Sequence, residues 1–194
     1  FAFDGDADRM LAIDEKGRII DGDHILFLWG SALKEKKELP GEILVATVMS
    51  NLGFEKAWKE KDGSLDRTPV GDQNVYDAMI TSGAKLGGEQ SGHILSAENG
   101  LCGDGIFTAL QLATLCSGKN LTLSEWRDQS FEPFPQKLIN ISLAKTANRK
   151  SWEKSEPIQT AISKAREAMG GDGRVLVRAS GTEPLLRVMV EASD

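Results

Sequence analysis

The chain has 194 residues, 40% of them hydrophobic, and a formal charge of −6. That length provides one large domain or two ordinary ones with a proper core, and the acidic balance excludes a broad nucleic-acid footprint while leaving room for a local basic pocket that takes phosphates. No apolar run reaches the length of a membrane span and no signal-peptide pattern opens the chain, so neither nucleic acid nor a membrane is an expected partner.

In chain order, strand-like FAF and MLAI runs flank Asp4-Gly5-Asp6-Ala7-Asp8-Arg9, three carboxylates at alternate positions followed at once by an arginine. Oxygen-only ligands in a compact turn suit a hard divalent ion such as Mg²⁺, with Arg9 placed to hold an anionic substrate beside it. A solvated acidic turn explains the same residues. A calcium loop of the EF-hand type matches at Asp4, Asp6, Asp8 and Glu15, but it requires glycine at its sixth position, where Arg9 stands.

After a turn at Glu15-Lys16-Gly17, the spacing of Ile25, Leu28, Trp29, Ala32 and Leu33 predicts an amphipathic helix with Asp23 as N-cap. The run 42–49 reads as a strand buried on both faces, and Asn51 opens a short helix carrying Leu52, Ala57 and Trp58. A short strand at Thr68–Val70, a helix over 74–82, a short strand at Ala84–Leu86 and a helix capped by Asp104 and running to about Cys116 complete an alternation. That alternation predicts an α/β layer architecture with a mixed, largely parallel sheet. Glu132-Pro133-Phe134-Pro135 marks a connector. Beyond it, 137–143 reads as a half-buried strand with Ile139, Ile141 and Leu143 on one face. A helix over 156–169 begins near Pro157 and stops at Gly170-Gly171, and strands at 174–178 and 185–191 complete a small α+β domain.

Cys102 and Cys116 lack metal-ligand or CxxC spacing and read as reduced structural thiols, which favours the cytoplasm. The chain opens on Phe1 inside a strand-like run rather than on Met, and so reads as a piece of a longer polypeptide.

Two further loops carry chemistry. In Gly87-Gly88-Glu89-Gln90-Ser91-Gly92-His93 the glycines let a backbone approach a ligand closely, while Glu89, Ser91 and His93 project in alternation and suit the hydroxyls of a sugar. An ordinary glycine turn is the rival reading. In Arg178-Ala179-Ser180-Gly181-Thr182-Glu183-Pro184, with Arg187 nine positions past Arg178, guanidinium forks, hydroxyls and a glycine N–H form a phosphate nest; a tight turn with surface arginines is the alternative. His24 and the four tryptophans read as structural. Gly71-Asp72 and Gly103-Asp104-Gly105 read as helix starts.

The three loops in this order, together with TVMSNLGFE (47–55), TPVGDQNV (68–75) and CGDGIFTAL (102–110), closely resemble the α-D-phosphohexomutase family along the whole chain. The form of the Gly88–His93 loop and the TVMSNLG run resemble members acting on glucosamine phosphates more than those acting on mannose phosphates. The resemblance implies a phosphohexomutase-type α/β domain followed by a small α+β domain. Residues 1–18 would end a metal-binding second domain, 19–132 would be a sugar-binding third domain, and 133–194 a phosphate-binding fourth domain lacking its last helix. It further implies Mg²⁺ on Asp4, Asp6 and Asp8, Arg9 at the substrate, sugar contacts from Glu89 and Ser91, and proton transfer by His93. Arg178, Ser180, Gly181 and Thr182, supported by Arg187, would hold the distal phosphate.

The implied substrate is a phosphorylated amino sugar. Glucosamine 6-phosphate would become glucosamine 1-phosphate through a phosphoserine and a bisphosphate intermediate, feeding cell-wall precursor synthesis. The family's catalytic serine belongs to a first domain that has no counterpart here, so this chain alone is expected to be inactive. Gln73-Asn74 replaces an Arg-Tyr pair usual in relatives. The competing readings are a glucose- or mannose-phosphate mutase, or a non-catalytic sugar-phosphate-binding module.

Overall fold

The computed structural model describes residues 1–143, 151–180 and 183–193. Two compact units divide the chain, Phe1–Glu132 and Pro133–Asp194.

In the first unit, β1 (Ala2–Phe3), β2 (Met10–Ile13) and β3 (Ile19–Ile20) form a small antiparallel sheet in that order. The turn joining β1 to β2 carries the acidic cluster, with Phe3 opposite Met10 at its mouth. The main sheet has the order β5-β4-β6-β7, with β4 (Ile43–Thr47) parallel to β5 (Ser64–Thr68) and to β6 (Leu86–Gly88), and β7 (Ile94–Ser96) antiparallel to β6. This is the mixed, largely parallel sheet expected.

Alternate residues of that sheet enter two cores, because successive strand side chains point to opposite faces. Leu44, Ala46 and Leu86 pack with α1 (Gly22–Glu35), α2 (Leu52–Glu60), α4 (Gly105–Lys119) and α5 (Leu123–Asp128), while Val45 and Leu95 pack with Val75 and Met79 of α3 (Asp72–Ser82). Helix α1 is buried almost all round, as a central helix should be. Phe27 on α1, Phe54 and Trp58 on α2, and Phe131 form an aromatic knot with ring centroids 5.6 to 6.2 Å apart. Each such pair adds ~0.5–1.5 kcal/mol beyond its buried area. Trp29 and Trp126 are buried as well, and both cysteines are free thiols.

The next hairpin, joining β2 to β3, is pinned to α5. Arg18 bridges Asp14 (2.7 Å) and Asp128 (2.5 Å), and Glu15 accepts from Ser124 Oγ at 2.6 Å. That bond, with a second from Thr122, holds the Glu15 carboxyl down at about 2.

Several elements differ from the sequence reading. The cap of α1 is Asp21, whose carboxylate accepts from the His24 N–H at 3.1 Å. Asp23 lies one turn-position inside and is fully buried, because it is occupied by a distant partner, the Asn51 N–H at 2.7 Å. The strand expected at 68–70 lies at 64–68, since Pro69 cannot donate to a ladder and ends it. Strand β6 starts at Leu86 rather than Ala84, and α4 runs on to Lys119.

Burial, and secondarily the Asp21 carboxylate, pushes Asp23 up to about 7 against the pull of Asn51, Ser50 and Arg67. A carboxyl that stays protonated in the folded state up to that pH, but ionises near 4 when unfolded, withdraws stability as pH rises from about 4 to 7. Urea unfolding should show this slope, of the order of a few kcal/mol at ~1.4 kcal/mol per unit, in the wild type and a flatter profile in Asp23→Asn.

In the second unit, β10 (Leu185–Ala192) is the centre of an antiparallel sheet of order β8-β10-β9, with β8 (Gln136–Ser142) and β9 (Gly173–Ala179) on its two sides. Helix α6 (Glu156–Met169) packs on β9 and ends at Gly170, with Pro157 in its first turn as expected. Strand β8 is exposed along its whole length rather than half-buried: Leu138, Ile139 and Ile141 are all open to solvent. The alternation in its sequence is real, but β8 is an edge strand and α6 covers the opposite edge.

Candidate functional site

The acidic turn closes tightly. Ala7 takes a left-handed conformation (φ 58°), and its N–H donates to the Asp4 carbonyl at 3.3 Å. The Arg9 N–H donates to Asp4 Oδ1 at 3.2 Å. Carboxylate oxygens of Asp4, Asp6 and Asp8 thereby come within 4.8 Å of one another. Arg9 lies alongside, its Nε 3.7 Å from Asp4 and 3.8 Å from Asp8. Partial burial first, then the Asp4 and Asp6 carboxylates, raise the Asp8 carboxyl above its ordinary range, against the opposing pull of His93. Asp8 Oδ1 is buried and accepts no hydrogen bond among the described residues. Three clustered carboxylates with an orphaned buried oxygen fit a hard divalent cation such as Mg²⁺.

The glycine loop is brought directly against this turn. It is a tight hairpin joining β6 to β7, closed by the Glu89 N–H to the His93 carbonyl (2.9 Å) and the Gly92 N–H to the Glu89 carbonyl (3.0 Å). The alternation expected of Glu89, Ser91 and His93 is therefore corrected. Ser91 Oγ donates to Glu89 Oε2 at 3.2 Å, so these two share a side, whereas His93 is buried with Nδ1 3.1 Å from Asp8 Oδ2. The turn and the loop are also joined by backbone, the Met10 N–H donating to the Gly92 carbonyl at 3.1 Å. Gly92 has a φ of 93°, and a Cβ there would lie 2.2 Å from the Met10 carbonyl oxygen, so only glycine allows this approach.

Two neighbouring cavities, each of about 280 Å³, open at the junction. One is lined by Asp8, Arg9, Gly71, Asp72, Glu89 and His93. The other is lined by Thr47, Met49, Val70, Glu89, Gln90 and Ser91. Sequence reasoning missed the part played by Gly71, whose N–H donates to Glu89 Oε1 at 2.9 Å and aims that carboxylate, and the wall made by Thr47, Met49 and Val70. The TPVG and TVM segments that supply them were legible only as parts of family-like runs. Gln73 and Asn74 are exposed on the first turn of α3 and bond within their own helix region, to Asp77 (2.8 Å) and to the Val70 carbonyl (3.0 Å).

Gly22 is the tightest point beneath the loop: its N–H donates to the Gln90 carbonyl at 3.0 Å, and a Cβ would lie 1.9 Å from the Glu89 carbonyl oxygen. Gly22→Ala is expected to destabilise the protein by ~1–3 kcal/mol, the usual range for overpacking. Urea titration measures this, and an unchanged midpoint would contradict the close approach.

In the second unit, the antiparallel register sets Arg178 of β9 directly opposite Arg187 of β10. Like charges in that position repel unless an anion or a counter-charge lies between them. Arg187 Nη2 is 3.3 Å from Glu183, and its buried Nε has no hydrogen-bond acceptor among the described residues. Ser180 is buried, its N–H donating to the Leu185 carbonyl at 2.9 Å and its Oγ accepting from the Glu183 N–H at 3.3 Å. Gly181 and Thr182 lie outside the described residues.

Comparison with known proteins gives a consistent picture. Residues 21–134 match the model of the phosphoglucomutase/phosphomannomutase alpha/beta/alpha domain III, and residues 138–194 match that of the C-terminal domain of the same family. A phosphoglucosamine mutase of Synechococcus sp. (strain CC9902) is 66% identical over all 194 residues, and one of Prochlorococcus marinus (strain MIT 9303) is 67% identical; this chain spans 42% of each. Among solved structures, N-acetylphosphoglucosamine mutase of Aspergillus fumigatus, in complex with GlcNAc-6P and magnesium, superposes with a TM-score of 0.78 at 25% identity, over 100% of this chain and 45% of that one.

Proposed function

The chain belongs to the phosphoglucomutase/phosphomannomutase family, and on that premise we propose that it forms the sugar- and phosphate-binding part of a phosphoglucosamine mutase, interconverting glucosamine 6-phosphate and glucosamine 1-phosphate. The observation that carries this reading is the junction of the acidic turn with the glycine loop. A carboxylate cluster fit for a cation and a sugar-hydroxyl acceptor pair open onto adjoining cavities, as a phosphoryl transfer to a sugar hydroxyl demands.

Asp4, Asp6 and Asp8 would hold Mg²⁺, which supplies charge neutralisation for the transferring phosphoryl group. Arg9 contributes a guanidinium beside that cluster for an anionic oxygen. Glu89, aimed by the Gly71 N–H, and Ser91 accept from and donate to the sugar hydroxyls. His93, steadied by Asp8, can relay a proton through its ring. Arg178, Ser180 and Arg187, with Gly181 and Thr182, bind the phosphate that is not being transferred, and so must accept either end of the sugar bisphosphate. The phosphoryl donor would be a phosphoserine, and the cytoplasm is the compartment proposed.

The high identity to phosphoglucosamine mutases supports the amino sugar over glucose or mannose phosphates. Steady-state kinetics of the full-length protein on the three 6-phosphates should give the highest kcat/KM for glucosamine. Preference for mannose or glucose would overturn the substrate assignment, and binding without turnover of any of them would favour a sugar-phosphate-binding module.

A further inference from the structure

The N-terminus of α1 is tied to both lips of the cavity that holds Glu89 and Ser91. To one it donates the Gly22 N–H, bonded to the Gln90 carbonyl at 3.0 Å. Towards the other it presents Asp23, fully buried, whose Oδ2 accepts the Asn51 N–H at 2.7 Å. Arg67 reaches the same stretch from β5, donating to the Thr47 carbonyl (3.2 Å) and the Ser50 carbonyl (2.8 Å) while its Nε is held by Glu55 at 2.6 Å. Asn51 is in turn the cap of α2, accepting the Gly53 N–H at 2.8 Å. The backbone of residues 47–51 is thus gripped from two sides as it leaves β4, and Thr47 and Met49 of that stretch line the cavity with Glu89 and Ser91.

Asp23 is not needed as a helix cap, because Asp21 already fills that place. Burying a carboxyl group completely is unfavourable, so the partner its oxygen does hold indicates what it is for. That partner is the Asn51 N–H, at the end of the stretch that leaves β4.

We propose that Asp23 is a positioning residue for the sugar site: with Arg67 it fixes the wall formed by residues 47–49 at a set distance from the Glu89–Ser91 loop, which α1 holds through Gly22. This rests on the sugar-binding reading of that cavity. The side chain touches no substrate and acts through the wall it holds.

The test compares Asp23→Ala, Asp23→Asn and Arg67→Lys in the full-length protein. A wall misplaced by about 1 Å is enough to impair substrate positioning up to ~100-fold, so Asp23→Ala should raise KM for glucosamine 6-phosphate by ~10-fold or more with a smaller change in kcat. Asp23→Asn, which keeps an acceptor oxygen, should recover most of that loss. Arg67→Lys should move KM in the same direction, and it stands in if Asp23→Ala does not fold. Amide hydrogen exchange, read without substrate, should accelerate in Asp23→Ala at both 47–51 and 89–91 while residues 175–190 keep their wild-type protection. A lowered melting temperature with unchanged KM, or faster exchange confined to 50–51, would overturn the proposal. A wild-type protein inactive on every hexosamine phosphate would instead retract the function, and the exchange pattern would still decide the role of Asp23.

Discussion

Replacing Arg178 by alanine in the full-length protein is expected to lower kcat/KM for glucosamine 6-phosphate by ~10²- to 10³-fold, the equivalent of ~3–4 kcal/mol, or about two charge-assisted hydrogen bonds to a phosphate. The reason lies in the register of the second unit. Arg178 and Arg187 are direct cross-strand partners, so an anion bound there can meet two guanidinium groups at once. The guanidinium fork also matters beyond its charge, because it can meet two phosphate oxygens at once. Arg178→Lys should therefore recover only part of the loss. Both directions of the reaction should suffer alike, since either phosphate must occupy the same loop. Unchanged kcat/KM in Arg178→Ala would remove the phosphate-binding role.

The second large effect is expected at the acidic turn. Asp8→Asn keeps the shape of the side chain but removes one of three clustered carboxylates and the charge facing His93. Turnover supported by Mg²⁺ should fall by at least ~10²-fold, in line with the several kcal/mol a metal supplies to transition-state charge. Binding can be followed without turnover. At a hundredfold excess over its dissociation constant, Mg²⁺ should stabilise the wild type against unfolding by ~2.7 kcal/mol and the variant far less. Equal stabilisation of both proteins would show that the cation binds elsewhere.

How much of this was legible in the sequence depended on whether the deciding interaction was local. Helix α6 was readable to the residue, because Pro157 at its start and Gly170 at its end act within the backbone. The cap on α4 was legible for the same reason, Asp104 accepting from the Phe107 N–H three residues on. The start of α1 was not. Asp21 and Asp23 are equally good caps by chemistry, and only a bond to Asn51, 28 positions away, separates them. Short α5 was overlooked although Thr122 and Glu125 form a capping box, a signal that does announce a helix start. Strand β8 has the right alternation, yet nothing within its own residues tells that it is exposed among the described residues.

The site divides in the same way. The three loops stand out as motifs, and the acidic cluster, the Glu89–Ser91 pair and the opposed arginines all follow from short spacing or strand register. The contacts that make them a site do not. His93 meets Asp8 across 85 positions, and Gly71 aims Glu89 across 18. Those pairings exist only once the sheet order β5-β4-β6-β7 has brought the ends of β5 and β6 beside the hairpin turn. Gly71 and Gly22 look like ordinary helix starts until their N–H groups are seen to hold Glu89 and Gln90 of the glycine loop.

³¹P NMR of the full-length protein tests whether this chain serves an amino-sugar phosphomutase. With glucosamine 6-phosphate, Mg²⁺ and a trace of the bisphosphate, the 6-phosphate resonance should decay as a glucosamine 1-phosphate resonance grows, and addition of EDTA should stop the conversion. A 6-phosphate signal that stays constant under those conditions, while glucose or mannose 6-phosphate is converted, would rule out an amino-sugar mutase.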